Sequence, residues 1–325
     1  MARSKHDFAT SEAKDCIRQS WDRPILQARV LQTGGPLAYF GLPGPAVHDL
    51  IEWRDLLGKR TGVERLRKGS LQIEDLERHR RLLRNVLTNG LSDGFQLLRG
   101  EIEDVILDGS DADGTIPSES DNAPAIRMRF RYGLVNLDFV GGVGHPDKTG
   151  QSKRTRAIKE LFRRQEGTSF VLLLTVSVRD TNEPELANYL SEAQSRVHDD
   201  LRPALVWSAE HEKGRQSYLL KAAVPLFIHH TAEEHMFRCR MYPPIAYQGT
   251  GRTRLVHFVF ELDHTVGNFQ AISSQNVNDL VRLPMLVPEP PTFVISAVQP
   301  PGIDVAGFLP PLDYLTTPSE PNQNG

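Results

Sequence analysis

The stretch Leu37 to Arg65, LAYFGLPGPAVHDLIEWRDLLGKRTGVER, decides how the rest of the chain is read. Leu37-Ala38-Tyr39-Phe40 is a short apolar run that suits a buried strand. Gly41-Leu42-Pro43-Gly44-Pro45 breaks it. Val47, Leu50, Ile51, Trp53, Leu56 and Leu57 then recur at helical spacing, and Gly58 falls where a helix-ending glycine is expected. Thr61-Gly62-Val63-Glu64 reads as a second strand ending in a carboxylate. Strand, glycine turn, helix, strand and acid is the plan of a nucleotide-binding βαβ unit. The glycines let backbone amides approach a ligand, and the acid accepts hydrogen bonds from ribose hydroxyls. The spacing is not a full G-x-G-x-x-G, so the same letters also describe an ordinary crossover.

Working outward, 325 residues suffice for one large domain or two ordinary ones, and 39% hydrophobic with 24% charged residues is a globular composition. A net charge of −3 means that any nucleic-acid binding needs a local basic face. The two cysteines, Cys16 and Cys239, lie far apart, which speaks against a disulfide framework or a cysteine zinc cluster. No run approaches the roughly 20 apolar residues of a membrane span. The polar start, MARSKHDFATSEAKD, lacks a signal-like apolar region, and the expected location is cytoplasmic.

Residues 1–24 read as a polar arm, with a short helix from Asp15 to Trp21 closed by Pro24. A helix is expected from Ile73 to Leu87, a third strand from Phe95 to Glu101, and a solvated, mobile acidic insertion at 108–125. Leu134 to Phe139 is a fourth strand. A basic amphipathic helix follows, and Phe170 to Val178 is a central parallel strand buried on both faces. Residues 183–200 read as a helix capped at Asn182, and Leu219 to Met236 as one bent or broken near Pro225. Met236 to Tyr247 and Arg254 to Leu262 form an antiparallel hairpin. In the second of these, Val256, Phe258 and Phe260 alternate with a less covered face bearing His257 and Glu261. The expected core domain is 25–282; the segment 283–325 is proline-rich and reads either as an extended tail draped on the domain or as a disordered linker, through which a protein partner could be held.

This order, alternating α/β with a closing antiparallel pair, resembles the class I S-adenosylmethionine-dependent methyltransferases over roughly residues 36–265. The resemblance implies a Rossmann-like, mostly parallel sheet with helices on both faces and a C-terminal antiparallel hairpin. It implies S-adenosylmethionine as cofactor, held by Gly41 and Gly44 in the first loop, with Tyr39 where the family usually has an acid. Glu64 corresponds to the ribose acid, and Gly100-Glu101-Ile102 to the adenine site. Leu137-Asp138-Phe139-Val140-Gly141-Gly142 is loosely similar to the Leu-Asp-Pro-Phe-Gly motif of some RNA guanine-N2 methyltransferases, without its proline.

Asp138 and Asn136 are then the candidate catalytic groups, with Phe139 as a stacking surface for a base. An acid inside an apolar strand must be paired or used, because burying it alone costs several kcal/mol. Lys153, Arg154, Arg156 and Arg163 are candidate phosphate contacts, although cations on an exposed helix are usually only a solvated face. His229, His230 and His235 do not share one helix face, so no metal is expected. The expected activity is methyl transfer, with a nucleic-acid base amine as acceptor. One alternative is a methyltransferase-like binding or scaffold protein that has lost activity. Another is a nicotinamide-dependent oxidoreductase on a Rossmann sheet.

Overall fold

A computed structural model of the chain describes residues 11–65, 73–139, 141–143, 152–177, 212–249, 254–265 and 277–296, with scattered positions between 188 and 203. Most of the helix expected over 183–200, and the tail beyond 296, lie outside the described residues. Among the described residues ten strands form one sheet: β1 (Leu37–Gly41), β2 (Leu57–Glu64), β3 (Phe95–Arg99), β4 (Leu134–Asp138), β5 (Phe170–Ser177), β6 (Phe237–Met241), β7 (Ile245–Gln248), β8 (Arg254–His264), β9 (Leu286–Glu289) and β10 (Thr292–Ile295). Its order is β10-β9-β7-β8-β5-β4-β1-β2-β3, with β6 also paired to β8. Strands β1 to β5 run parallel, and β8 joins β5 antiparallel.

Two layers of helix cover the sheet. On one face lie α1 (Glu12–Ile17), a π-helical turn (Arg18–Asp22), α2 (Arg23–Thr33), α3 (His48–Glu52) and α4 (Ile73–Thr88). Trp21, Leu26, Leu50 and Leu82 pack there on Leu134, Val171, Leu173 and Val259. On the other face lie α5 (Ile102–Asp108), α6 (Lys153–Arg164) and α7 (Glu212–Glu234). Ile158, Phe162 and Phe227 meet Val135, Leu172, Leu174 and Phe260. Residues of β5 therefore alternate between two apolar layers, and all eight are buried. Each large apolar side chain so placed contributes about 1.5–3 kcal/mol. A short helix, α8 (Val277–Arg282), precedes β9.

Several local expectations change. The chain does not stop its helix at Pro24: Arg23 N–H bonds Arg18 O across the π turn, and Pro24 enters the first turn of α2, where its missing N–H costs little. Helix α3 is only five residues long, Gly58 lies within β2, and Trp53 and Leu56 turn inward from a tight turn rather than from helix. The acidic insertion is not a loose loop over its described length. The Asp111 carboxylate accepts N–H bonds from Arg99, Asp113 and Thr115 at 2.8–3.0 Å, and Ser118 meets Thr61 at 2.9 Å. Helix α7 continues through Pro225. Pro243 and Pro244 split the expected strand into β6 and β7, both antiparallel to β8. His257 and Glu261 are buried, because helices cover both faces of β8. The proline-rich region starts with a hairpin, β9–β10, turning at Pro290-Pro291, and Phe293 packs 5.3 Å from Trp21.

The sheet order puts a topological switch point between β1 and β4, where the chain leaves in opposite directions and a crevice opens beyond the strand ends. Gly41 closes β1 at that point. A Cβ there would fall 2.4 Å from the Asn136 carbonyl oxygen of β4. Gly41→Ala is therefore expected to force β1 and β4 apart and destabilise the fold by about 1–3 kcal/mol. Denaturant unfolding of the variant against wild type measures this; unchanged stability would show that the two strands have slack.

Candidate functional site

At the ends of β4, β5 and β8 the sheet carries a polar row instead of an apolar one. Asp138 is registered against Thr175, and Thr175 against His257. Asn136 precedes Asp138 by one pleat, and Tyr247 flanks the row from β7. Opposite lies the N-terminal helix with Lys14, Arg18 and Asp22, spaced four residues apart so that one helical side faces the sheet. The wider π turn keeps Arg18 and Asp22 on that side; such turns are frequent at functional sites. Together with Asp49 and Trp53 these residues line a small, partly open cavity.

Each helix charge has a partner. Lys14 Nζ bonds Asp138 Oδ2. Arg18 Nε donates to Asp49 Oδ1 at 2.6 Å, and the Asn136 amide donates to Asp49 Oδ2 at 2.8 Å. His257 Nε2 lies 2.9 Å from Asp22 Oδ1 and its Nδ1 2.9 Å from Thr175 Oγ1. An ionised Asp22 only accepts, so Nε2–H donates to it and Nδ1 accepts the Thr175 hydroxyl proton when the ring is neutral. Burial pulls Lys14 down, yet Asp138, Tyr247 and Asp49 outweigh it and hold the ammonium above the usual lysine range. Burial alone would raise Asp49, but Arg18 and Lys14 hold it below the usual carboxylate range. Burial, then Lys14 and Asp138 with opposite signs, leaves the Tyr247 phenol raised. The fully buried Tyr39 hydroxyl makes no hydrogen bond of ordinary geometry among the described residues, and burial followed by Asp49 pushes it up.

The residues singled out from sequence fall into three groups. Asp138 and Asn136 line the cavity, and Tyr39 lies beside them. Gly41 and Gly44 form the turn leaving β1; Gly44 has φ +60° and nothing within 4 Å of where a Cβ would stand. Glu64 ends β2, buried, with Arg78 on Oε1 at 2.9 Å, and burial raises it despite that partner. Glu101 precedes α5 and pairs with Arg65 at 3.0 Å. Ile102 is in the core of the opposite face. Phe139 is also buried there, with the Arg154 guanidinium 4.5 Å from its ring centre. On α6, Lys153 meets Asp104 at 2.7 Å, Arg154 meets Glu103 at 2.9 Å, and Arg163 meets Glu160. Arg156 is partly buried on the same helix.

Sequence reading missed Lys14, Arg18, Asp22, Asp49, Thr175, Tyr247 and His257. The charged stripe at four-residue spacing, between the apolar Ile17, Trp21 and Ile25, was the available signal. Among the described residues no group of three or more potential ligands could hold a metal ion, and no helix is long and apolar enough to cross a membrane.

No protein-family model matches the chain, and no curated protein sequence does. Among solved structures it is similar to an O-methyltransferase of tomaymycin synthesis from Streptomyces achromogenes, with 12% identity, TM-score 0.40, and 79% of this chain and 83% of that one covered. A putative tRNA (m1A22) methyltransferase from Streptococcus pneumoniae gives 10% identity, TM-score 0.36 and coverages of 75% and 74%. A precorrin-6y C5,15-methyltransferase from Geobacter metallireducens gives 12%, 0.34, 79% and 95%. At these values, what each protein binds or methylates stays with that protein. The fold and cavity by themselves define an open α/β protein with a polar cleft at its topological switch point.

The buried pair Arg18–Asp49 gives a pH dependence. Asp49 is depressed below its ordinary 3.8, so its stabilisation is complete above that value and is lost as pH falls through the lower folded value. Asp49→Asn should cost stability near neutral pH, and the gap to wild type should narrow as pH falls below about 3.8. Asp49→Ala, which leaves the buried Arg18 with only the half-exposed Asp15, should cost about 3–5 kcal/mol. Urea unfolding across this range measures both; a gap independent of pH would mean that Asp49 is not the titrating group.

Proposed function

We propose that the chain is an S-adenosylmethionine-dependent methyltransferase, with the cofactor at the Gly41–Gly44 turn and the acceptor in the cleft beside Asp138. The observation that supports this most is the switch-point crevice. It has a glycine turn on β1, an acid closing neighbouring β2, and a carboxylate, Asp138, closing β4. The residues present fit the cofactor. Gly44 leaves open the space that a side chain would fill, and the Glu64 carboxylate, oriented by Arg78, would accept from a ribose. Glu101, at the end of β3, would take the adenine amino group. When bound, the cofactor supplies an electrophilic methyl group. Asp138 would orient the acceptor and take its proton, Asn136 would be held in place by Asp49, and the covering N-terminal helix would keep water out.

A second reading, a binding or scaffold protein on the same fold, draws support from the internal pairing of Glu64 with Arg78, Glu101 with Arg65 and Asp138 with Lys14. A nucleic-acid acceptor is supported by the cations of α6 alone. The pairs of Lys153, Arg154 and Arg163 with Asp104, Glu103 and Glu160 direct much of that charge inside the domain.

Calorimetry with S-adenosylmethionine and with NAD separates the readings. Methyltransferase chemistry expects saturable binding of S-adenosylmethionine only, weakened roughly tenfold to a hundredfold in Glu64→Ala. Asp138→Ala should leave that affinity nearly intact and abolish transfer to any acceptor found. Absence of binding by wild type supports the scaffold reading; NAD binding supports an oxidoreductase. Salt-dependent affinity for RNA that falls in Arg154→Ala would make the acceptor nucleic acid.

A further inference from the structure

We propose that the cleft under the N-terminal helix is a recognition site for a primary ammonium group, and that Lys14 occupies it as a resident stand-in for that ligand. The proposal rests on the placement of the acceptor beside Asp138 and names the acceptor's chemical class.

The cavity is walled by three carboxylates, Asp22, Asp49 and Asp138, against two cations, Lys14 and Arg18. Arg18 is not free to serve Asp138, since Asp49 and Asp15 both hold it. Asp22 is bonded to His257. That leaves Asp138, on the sheet floor at the end of β4, with Lys14 as its cation. The two halves of this pair differ in kind. Asp138 is fixed on a central strand hydrogen-bonded on both sides. Lys14 arrives on a flexible four-carbon stem from a six-residue helix near the start of the described chain. Lys14 and Asp138 retain 29% and 23% side-chain exposure, so the pair sits at the mouth of the cleft and solutes can reach it.

The surroundings suit an ammonium on an alkyl stem. Ile17 and Trp53 give the cavity an apolar wall, and Tyr247 adds an aromatic one with a polar tip. The stem and charge of Lys14 already lie there, which shows that the shape is admissible. A bare metal ion is a poorer occupant, because no group of three ligands converges among the described residues. The fully buried Tyr39 hydroxyl lies beside Asn136, a residue of the cavity wall. An ammonium has three donors, so one that reaches farther in than Lys14 could serve Asp138 and a second acceptor at once.

Binding of n-butylammonium chloride tests this by calorimetry on the full chain, with n-butanol and potassium chloride as neutral and ionic controls. The expected result is saturable binding of the amine but of neither control. It should tighten at least about tenfold in Lys14→Ala, which empties the site, and weaken at least about tenfold in Asp138→Asn. If Lys14→Ala does not fold, wild type against Asp138→Asn decides. Equal binding of butanol, or amine binding unchanged in Asp138→Asn, overturns the proposal. So does no saturable amine binding by wild type and the folded variants. S-adenosylmethionine affinity, measured on the same samples, is a separate readout. Amine binding without cofactor binding sinks the methyltransferase reading and keeps the ammonium site. Cofactor binding without amine binding does the reverse.

Discussion

The Asp49 carboxylate, buried between the N-terminal helix and the sheet, is the constraint on which the rest of this face depends. One oxygen takes the Arg18 guanidinium and the other takes the Asn136 amide. A carboxylate buried without partners would cost far more than the fold can spare, so helix, α3 and β4 are held in one arrangement. That arrangement fixes where Lys14 meets Asp138 and where Asp22 meets His257. The seam is polar for its whole length because each of its members removes a charge or a donor that another would leave stranded.

The two faces of the sheet are stabilised differently. The face under α5, α6 and α7 is mostly apolar in its interior. Arg164, itself buried, spends its donors on carbonyls of Ile106, Leu107 and Ala125, which ties α6 to the acidic insertion. The opposite face is apolar only around the N-terminal halves of the strands, at Leu134, Val171 and Leu173, and turns polar at their ends. Parallel strands that end together at a switch point leave a crevice there, and this chain roofs the crevice with charged helix. Two backbone features border the roof: the π turn carrying Arg18 and Asp22, and Val47 at φ +50° before α3. A β-branched residue in that conformation is strained, and strain of this kind clusters at functional sites.

The N-terminal helix is anchored from outside the parallel sheet as well. Trp21 packs against Phe293 of β10 and Tyr242 between β6 and β7, and Arg29 reaches Asp263 of β8 at 2.8 Å. The antiparallel extension, including the hairpin built from the proline-rich region, thus buttresses the roof of the cleft. Pro290 and Pro291 are tolerated in that hairpin because they lie in its turn, where a missing N–H breaks no ladder.

The alternating order of strands and helices was legible because hydrophobic periodicity is a local property: the runs at Leu37–Phe40, Leu134–Phe139 and Phe170–Val178 announce buried strands wherever they stand. From that order the sheet and its glycine turn followed, and so did the polar residues Asn136 and Asp138 at the switch point. The boundaries that failed, at Pro24, Gly58 and the hairpin after Leu283, failed where tertiary contacts outweighed local preference. The cleft itself belonged to the tertiary structure alone. Lys14 and Asp138 are 124 residues apart, and Asp22 and His257 are 235 apart. No spacing rule links such pairs. His257 reads as one polar letter in an alternating strand, and Lys14 as one charge in a polar arm. Only the packing of that arm on the ends of β4, β5 and β8 brings them to one cavity, because a buried charge is tolerable only beside its partner and the fold alone supplies the partner.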